Sequence, residues 1–170
     1  MVVIRASLRN DDLFVTLGLG YLGQFLGARM NDLILANNQR RGFAQMRASY
    51  GYVIQHLVDA DHPVPRTGSE LARRMGVSQQ AASKMIAELI QLGAVEVEAS
   101  ADRRAKKVSL TASGWAAVQQ ARRYRARLEG RLMRAVGAKR YTEAQKTLRA
   151  CVILLGGVER IRSRRIREPQ

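Results

Sequence analysis

The stretch "TGSELARRMGVSQQAASKMIAELIQLGAVEVE", beginning at Thr67, limits the possible folds more than any other part of the chain. Thr67 and Glu70 have the spacing of a helix-capping box, with Thr67 as N-cap and Glu70 three residues on. Leu71, Ala72 and Met75 form a short apolar face, and Gly76 suits the left-handed residue that closes such a helix. Ser78 can cap a second helix whose inward residues are Ala82, Met85, Ile86, Leu89 and Ile90, and Gly93 ends it. Only about three residues separate the two, a pattern that predicts a helix-turn-helix over about 67–93.

Val95 to Glu98 and Lys107 to Leu110 alternate as half-exposed strands, and "ASADRRAKK" joins them. Two short strands and a basic loop (about 95–111) directly after such a helix pair make a winged helix. Thr111 caps a long helix that begins at Ala112 or Ser113 and runs to about Val136. A last helix is expected from Thr142, as cap, to about Ile161, with Leu148, Val152, Leu155 and Val158 on one face. The tail "ERIRSRRIREPQ" is strongly basic.

Upstream, "LFVTLGLGYLGQFLGARMND" carries no charge from Leu13 to Ala28 and holds Gly18, Gly20, Gly23 and Gly27. A bilayer-spanning helix needs roughly 20 apolar residues, so this stretch is too short to be one. Its apolar residues recur at helical steps, which predicts a helix from Leu13 to about Asn37, capped by Asp11 or Asp12. Glycine costs a helix about 1 kcal/mol relative to alanine, so packing must hold this one. A second helix is expected from Phe43 to Val58, with Met46, Tyr50, Val53, Ile54 and Leu57 buried. "DADHPVP" (59–65) reads as a loop.

The charge bears on partners. With 29 Lys and Arg against 14 Asp and Glu, the chain carries a net charge of +15, which favours a polyanion. One cysteine excludes an internal disulfide and fits a reducing, cytoplasmic setting, and with two histidines it makes a structural zinc site improbable. There is no phosphate-binding glycine loop and no nucleophile beside a base, so no catalytic residue and no cofactor is expected. Cys151 and His56 read as packing residues.

The segment "GSELARRMGVSQQAASKMIAELIQLGAVEVEASADRRAKKVSLTASG" resembles the core of the MarR family of bacterial winged-helix transcription regulators. The most specific part is "DRRAKKVSLTASG", an Asp-x-Arg wing followed by Leu-Thr-x-x-Gly: Asp102, Arg104, Leu110, Thr111 and Gly114. The helix order matches over roughly residues 11 to 160. The link "NNQRRGFAQMRASYGY" departs from the Gly-Leu-Thr pattern common in the family, and the tail is longer and more basic.

The expected fold is therefore mainly α with a small β wing. Residues 1–10 form an extension, 11–161 a single regulator unit and 162–170 a basic tail. Within that unit, 43–111 is the DNA-binding core, and helices 11–37 and 112–161 form an intertwined dimerisation region.

In a winged helix the second helix of the pair lies in the major groove. Its outward residues are Gln79, Gln80, Ser83, Lys84, Ala87 and Glu88. Gln79, Gln80 and Ser83 are expected to read bases, with Lys84 on a base or phosphate. Ser78, Thr67 and Ser69 are expected at phosphates. Arg103, Arg104, Lys106 and Lys107 form the basic wing. The resemblance implies that Arg104 enters the minor groove, held by Asp102.

It also implies a homodimer on a pseudo-palindromic duplex operator. Leu22, Gly23, Phe25, Leu26, Gly27, Leu148, Val152 and Leu155 are the expected dimer-packing residues. A repressor released by a small aromatic or anionic effector near Met46 and Tyr50 is the corresponding expectation. A basic RNA-binding or ribosome-associated protein, or a winged-helix protein-interaction module, is the alternative. The aromatic content of 5% offers few platforms for stacking single-stranded bases.

Overall fold

The computed structural model describes residues 17–59, 61–98 and 106–163. In chain order these form α1 (Leu19–Arg40), α2 (Tyr50–Ile54), β1 (Val58–Asp59), β2 (His62–Pro63), β3 (Arg66–Thr67), α3 (Gly68–Met75) and α4 (Gln79–Gln91). There follow β4 (Val95–Val97), β5 (Lys107–Leu110), α5 (Ala112–Val136), α6 (Ala138–Leu154) and α7 (Val158–Ser163). Among the described residues, no helix is long and apolar enough to cross a membrane.

One core organises the middle of the chain. Tyr50, Val53 and Leu57 meet Leu71 of α3, Ile86 and Leu89 of α4, Val95, Val108 and Leu110 of the strands, and Ala117 of α5. The apolar spacing read from α2, α3 and α4 thus converges on one centre. The antiparallel sheet runs β3-β5-β4, with Val95 opposite Leu110 and Val97 opposite Val108.

The start of the long helix is set by a close contact. Thr111 Oγ1 accepts from Gly114 N at 3.0 Å and donates to Gly93 O at 2.6 Å, while Thr111 N bonds Ala94 O at 3.2 Å. A Cβ at Gly114 would lie 1.9 Å from the Ala94 carbonyl oxygen. Glycine is required here so that α5 can approach the strand backbone.

Four expectations about the elements need correction. Leu17 and Gly18 are non-helical, so α1 begins at Leu19 with Gly18 as an extended N-cap, and does not run on from Leu13; Asp11 and Asp12 lie outside the described residues. The helix also outlasts Asn37, to Arg40. Asn38, polar but buried, donates to Ala117 O of α5 at 3.4 Å, so a tertiary partner offsets its weak helix propensity.

The second helix is five residues long rather than spanning Phe43 to Val58. Gln39 Nε2 takes the Met46 carbonyl at 2.9 Å, the acceptor that Tyr50 N would use in an α-helix, and Tyr50 N turns to Arg47 O at 3.2 Å. The buried stripe of Met46, Tyr50, Val53 and Leu57 survives this change; Ile54 is half-buried.

The stretch 59–65, expected as a loop, carries strand pairing. Val58–Asp59 pairs with His62–Pro63, and Arg66–Thr67 then adds an edge strand to β5, with Arg66 opposite Val108. Two-residue strands have no visible alternation and arise from tertiary pairing.

The last helix begins at Ala138, after Gly137 at φ 89°, and Thr142 lies inside it rather than capping it. It breaks after Leu154, where Gly156 is left-handed at φ 69° and Gly157 N bonds Val152 O at 2.8 Å, and α7 resumes at Val158.

Candidate nucleic-acid interface

The two helices of the core pair are held by local chemistry. Thr67 Oγ1 accepts from Glu70 N at 3.2 Å, Gly76 is left-handed at φ 68°, and Ser78 Oγ accepts from Ala81 N at 3.2 Å. The capping box is only half formed, because the Glu70 carboxylate turns away from Thr67. It accepts from Arg66 Nη1 at 2.6 Å and from Arg74 Nε at 3.4 Å. Burial would raise the Glu70 carboxyl, but the hydrogen bonds and charges of Arg66 and then Arg74 outweigh it and hold it below its usual range.

Arg66 also donates through Nε to His56 O at 2.6 Å, so it ties β3, the end of α2 and α3 together. Sequence reasoning missed Arg66, although its opposite-charge spacing to Glu70 was a signal. His56 is buried, as its packing role requires.

With Ala82, Ile86 and Leu89 buried, α4 turns Gln79, Gln80, Ser83 and Lys84 to solvent, and Ser78 is exposed just ahead of them. The first intrahelical bond is Ala82 N to Ser78 O at 3.0 Å, so the N–H groups of Gln79 and Gln80 precede the hydrogen-bonded ladder. Two residues are placed differently from expectation. Ile90 is 41% exposed rather than inward. Glu88 is half-buried rather than outward, because Tyr50 Oη donates to its Oε2 at 3.0 Å.

Ser69 is exposed, and its hydroxyl lies 3.2 Å from that of the half-buried Thr67, whose oxygen already serves the cap. Lys106 and Lys107 are exposed at the start of β5; Asp102, Arg103 and Arg104 lie outside the described residues.

Met46 and Tyr50 are both buried, and they line one wall of an open cavity of about 580 Å³ with Gln39, Arg47, Glu88 and Gln91. The Arg47 guanidinium stands 6.0 Å from the centre of the Tyr50 ring. The cavity therefore touches the reading helix and α2 together. Burial, and after it the bond to Glu88, pushes the Tyr50 phenol above its ordinary pKa.

The expected dimer-packing residues are largely uncovered in the single chain. Phe25 is 61% exposed and Leu155 is 87% exposed; Leu22, Leu26 and Leu148 are also exposed, and Gly23 and Val152 are half-buried. A Cβ at Gly23 or Gly27 would meet nothing within 4 Å. Cys151 is half-buried on α6, not enclosed as expected, and none of the residues of α6 is buried among the described residues.

A rigid helix pair that presents glutamine, serine and lysine beside a small sheet, flanked by long helices, defines a winged helix-turn-helix protein. Residues 44–105 match the family model described as MarR family. No curated protein matches the chain.

Solved structures share its fold. MepR of Staphylococcus aureus, a transcription regulator of the multidrug efflux pump MepA, is 16% identical with a TM-score of 0.60, over 82% of this chain and 99% of that one. The oxidised form of MarR from E. coli is 20% identical with a TM-score of 0.60, over 80% and 95%. The MarR family protein Rv2887 of Mycobacterium tuberculosis, solved with salicylic acid, is 24% identical with a TM-score of 0.54, over 79% and 96%.

Proposed function

We propose that this protein is a dimeric transcription regulator that reads duplex DNA and has no catalytic role. One observation carries the reading. Gln79, Gln80, Ser83 and Lys84 stand exposed on the face of α4 opposite its buried anchors, on a helix fixed at both ends. Glutamine pairs bidentately with adenine in the major groove, and each such pair contributes about 1–3 kcal/mol of discrimination. The N–H groups at the start of α4 serve phosphates, as do Ser69 and Lys107, and the wing residues Arg103, Arg104 and Lys106 extend the contact. A variant of MepR is solved with an oligodeoxyribonucleotide, which supports the same use of this fold.

The uncovered apolar residues of α1, α6 and α7 support a two-fold dimer, which sets two reading helices roughly 34 Å apart on a pseudo-palindrome. The cavity over Met46 and Tyr50 is the place for a small effector. Arg47 at its edge suits an aromatic anion of the kind bound to Rv2887, and occupancy would release the DNA and relieve repression.

A shift assay on fragments of the upstream region, at two salt concentrations, tests the reading. Discrete complexes on one fragment, abolished by Gln79→Ala with Gln80→Ala, are expected. Equal binding to every fragment, or stronger binding to RNA, would refute it.

A further inference from the structure

The long helix α5 carries six arginines and a single acid, Glu129. These charges are not treated alike. Arg122 pairs with Asp61 at 3.3 Å and lies over the Trp115 ring, 5.5 Å from its centre. Glu129 is engaged by the Tyr141 hydroxyl of α6. Arg127, Arg131 and Arg134, by contrast, are exposed, and among the described residues none of them has a carboxylate partner.

Their spacing of four and three residues puts them on one face. Together they line an open groove of about 410 Å³ whose floor is Ala126 and Gly130. A Cβ on Gly130 would sit 3.5 Å from Arg134 Nη1, so that guanidinium lies back over the floor of the groove. Arg127 is steadied by the Tyr124 ring, 5.4 Å from its centre.

We propose that this arginine-lined groove is a second duplex-DNA-binding surface, which grips backbone phosphates without regard to sequence. Three guanidinium groups on one face are a poor arrangement for an isolated protein, because like charges repel until an anion arrives. Guanidinium matches phosphate bidentately, and every basic residue of the helix is arginine. The three side chains span about 10 Å of helix axis, over which one DNA strand presents about three phosphates.

The groove begins about 20 Å along α5 from Gly114, the point where the helix touches the winged core. A duplex held there is thus a different segment from the one under α4. The apolar residues left uncovered are mostly on α1, α6 and α7, and a two-fold contact through the stripe would set cations against cations.

The test uses the full chain, with R127Q/R131Q/R134Q against R125Q, which removes an exposed arginine from elsewhere on the same helix. Binding to a random-sequence duplex is followed as salt is varied. The triple change should lower the slope of log K against log salt by roughly 2–3, since each phosphate contributes about 0.9. It should also abolish capture of a second, labelled duplex by protein held on an immobilised one, while R125Q retains capture.

A slope within about 0.5 of the parent's, or capture that survives the triple change, overturns the proposal. So does a change of molecular mass in light scattering, which would make the stripe an interface between copies, or a larger loss for an acidic peptide or RNA than for duplex DNA. Sequence preference in the shift assay is read separately, so failure of the regulator reading leaves this measurement intact.

Discussion

The Tyr50 hydroxyl donates to Glu88 Oε2 at 3.0 Å and joins the short second helix to the reading helix across the edge of the open cavity lined by Met46 and Arg47. Tyr50→Phe is expected to leave the core packed and to remove this tie. The Tyr50 pKa is raised by burial first and by Glu88 second, so its stabilising contribution is complete below the ordinary value of 10.0 and is lost as pH rises through the folded value. Ultraviolet titration should show the tyrosine component that ionises above the ordinary value diminish in Tyr50→Phe. If the titration above that value is the same in both proteins, the phenol is not held as described.

Gly114 lets α5 touch the Ala94 carbonyl, and any side chain there must displace backbone. Gly114→Ala is expected to destabilise the fold by roughly 2–3 kcal/mol or more, as overpacked cores do. Thermal unfolding followed by circular dichroism measures it. A melting temperature equal to the parent's would mean that the strand and helix can separate without cost.

Thr111 makes two side-chain bonds at the same corner. Thr111→Val keeps the shape and removes both the cap to Gly114 N and the bond to Gly93 O. A loss of about 1–2 kcal/mol in urea unfolding is expected. Thr142→Val, by contrast, should have little effect, because Thr142 does not cap its helix.

Glu70 links Arg66 and Arg74, and its pKa is lowered by them against the opposing effect of burial. A lowered folded pKa means that the stabilisation is present above the unfolded value and fades as pH falls through the folded one. Glu70→Gln should therefore be less stable than the parent at neutral pH and approach it below about pH 4. Parallel pH–stability curves for the two proteins would contradict the pairing.

Gly23 and Gly27 lie four residues apart on α1 with open space where a Cβ would stand. Leucines at both positions fit the single protomer, so any effect reports on assembly. Light scattering should show weakened dimerisation, together with reduced affinity for a two-fold DNA site. Normal dimers and normal affinity would leave the cost of these glycines to the helix without an explanation.

Much of the fold was legible without coordinates, and the reason differs from place to place. The caps at Thr67, Ser78 and Thr111 and the turns at Gly76 and Gly93 were readable because each is satisfied within three or four residues. The exposed Gln79, Gln80, Ser83 and Lys84 of α4 followed from its buried residues by helical period, while Glu88 and Ile90 did not. Arg103 and Arg104 were placed on the wing by sequence, and they lie outside the described residues.

What the chain alone could not determine depended on partners distant in sequence. Asn38 extends α1 because Ala117 of α5 accepts its amide, 79 residues away. Glu88 turns inward because Tyr50 reaches it, and Arg66–Thr67 is a strand because β5 lies alongside it. The arginines of α5 look uniform in sequence, and it is the distant Asp61 that gives Arg122 a carboxylate, which Arg127, Arg131 and Arg134 lack among the described residues. Local hydrogen bonds and hydrophobic period are written in neighbouring residues, whereas strand pairing and charge neutralisation are decided by which distant groups the closed core brings within reach.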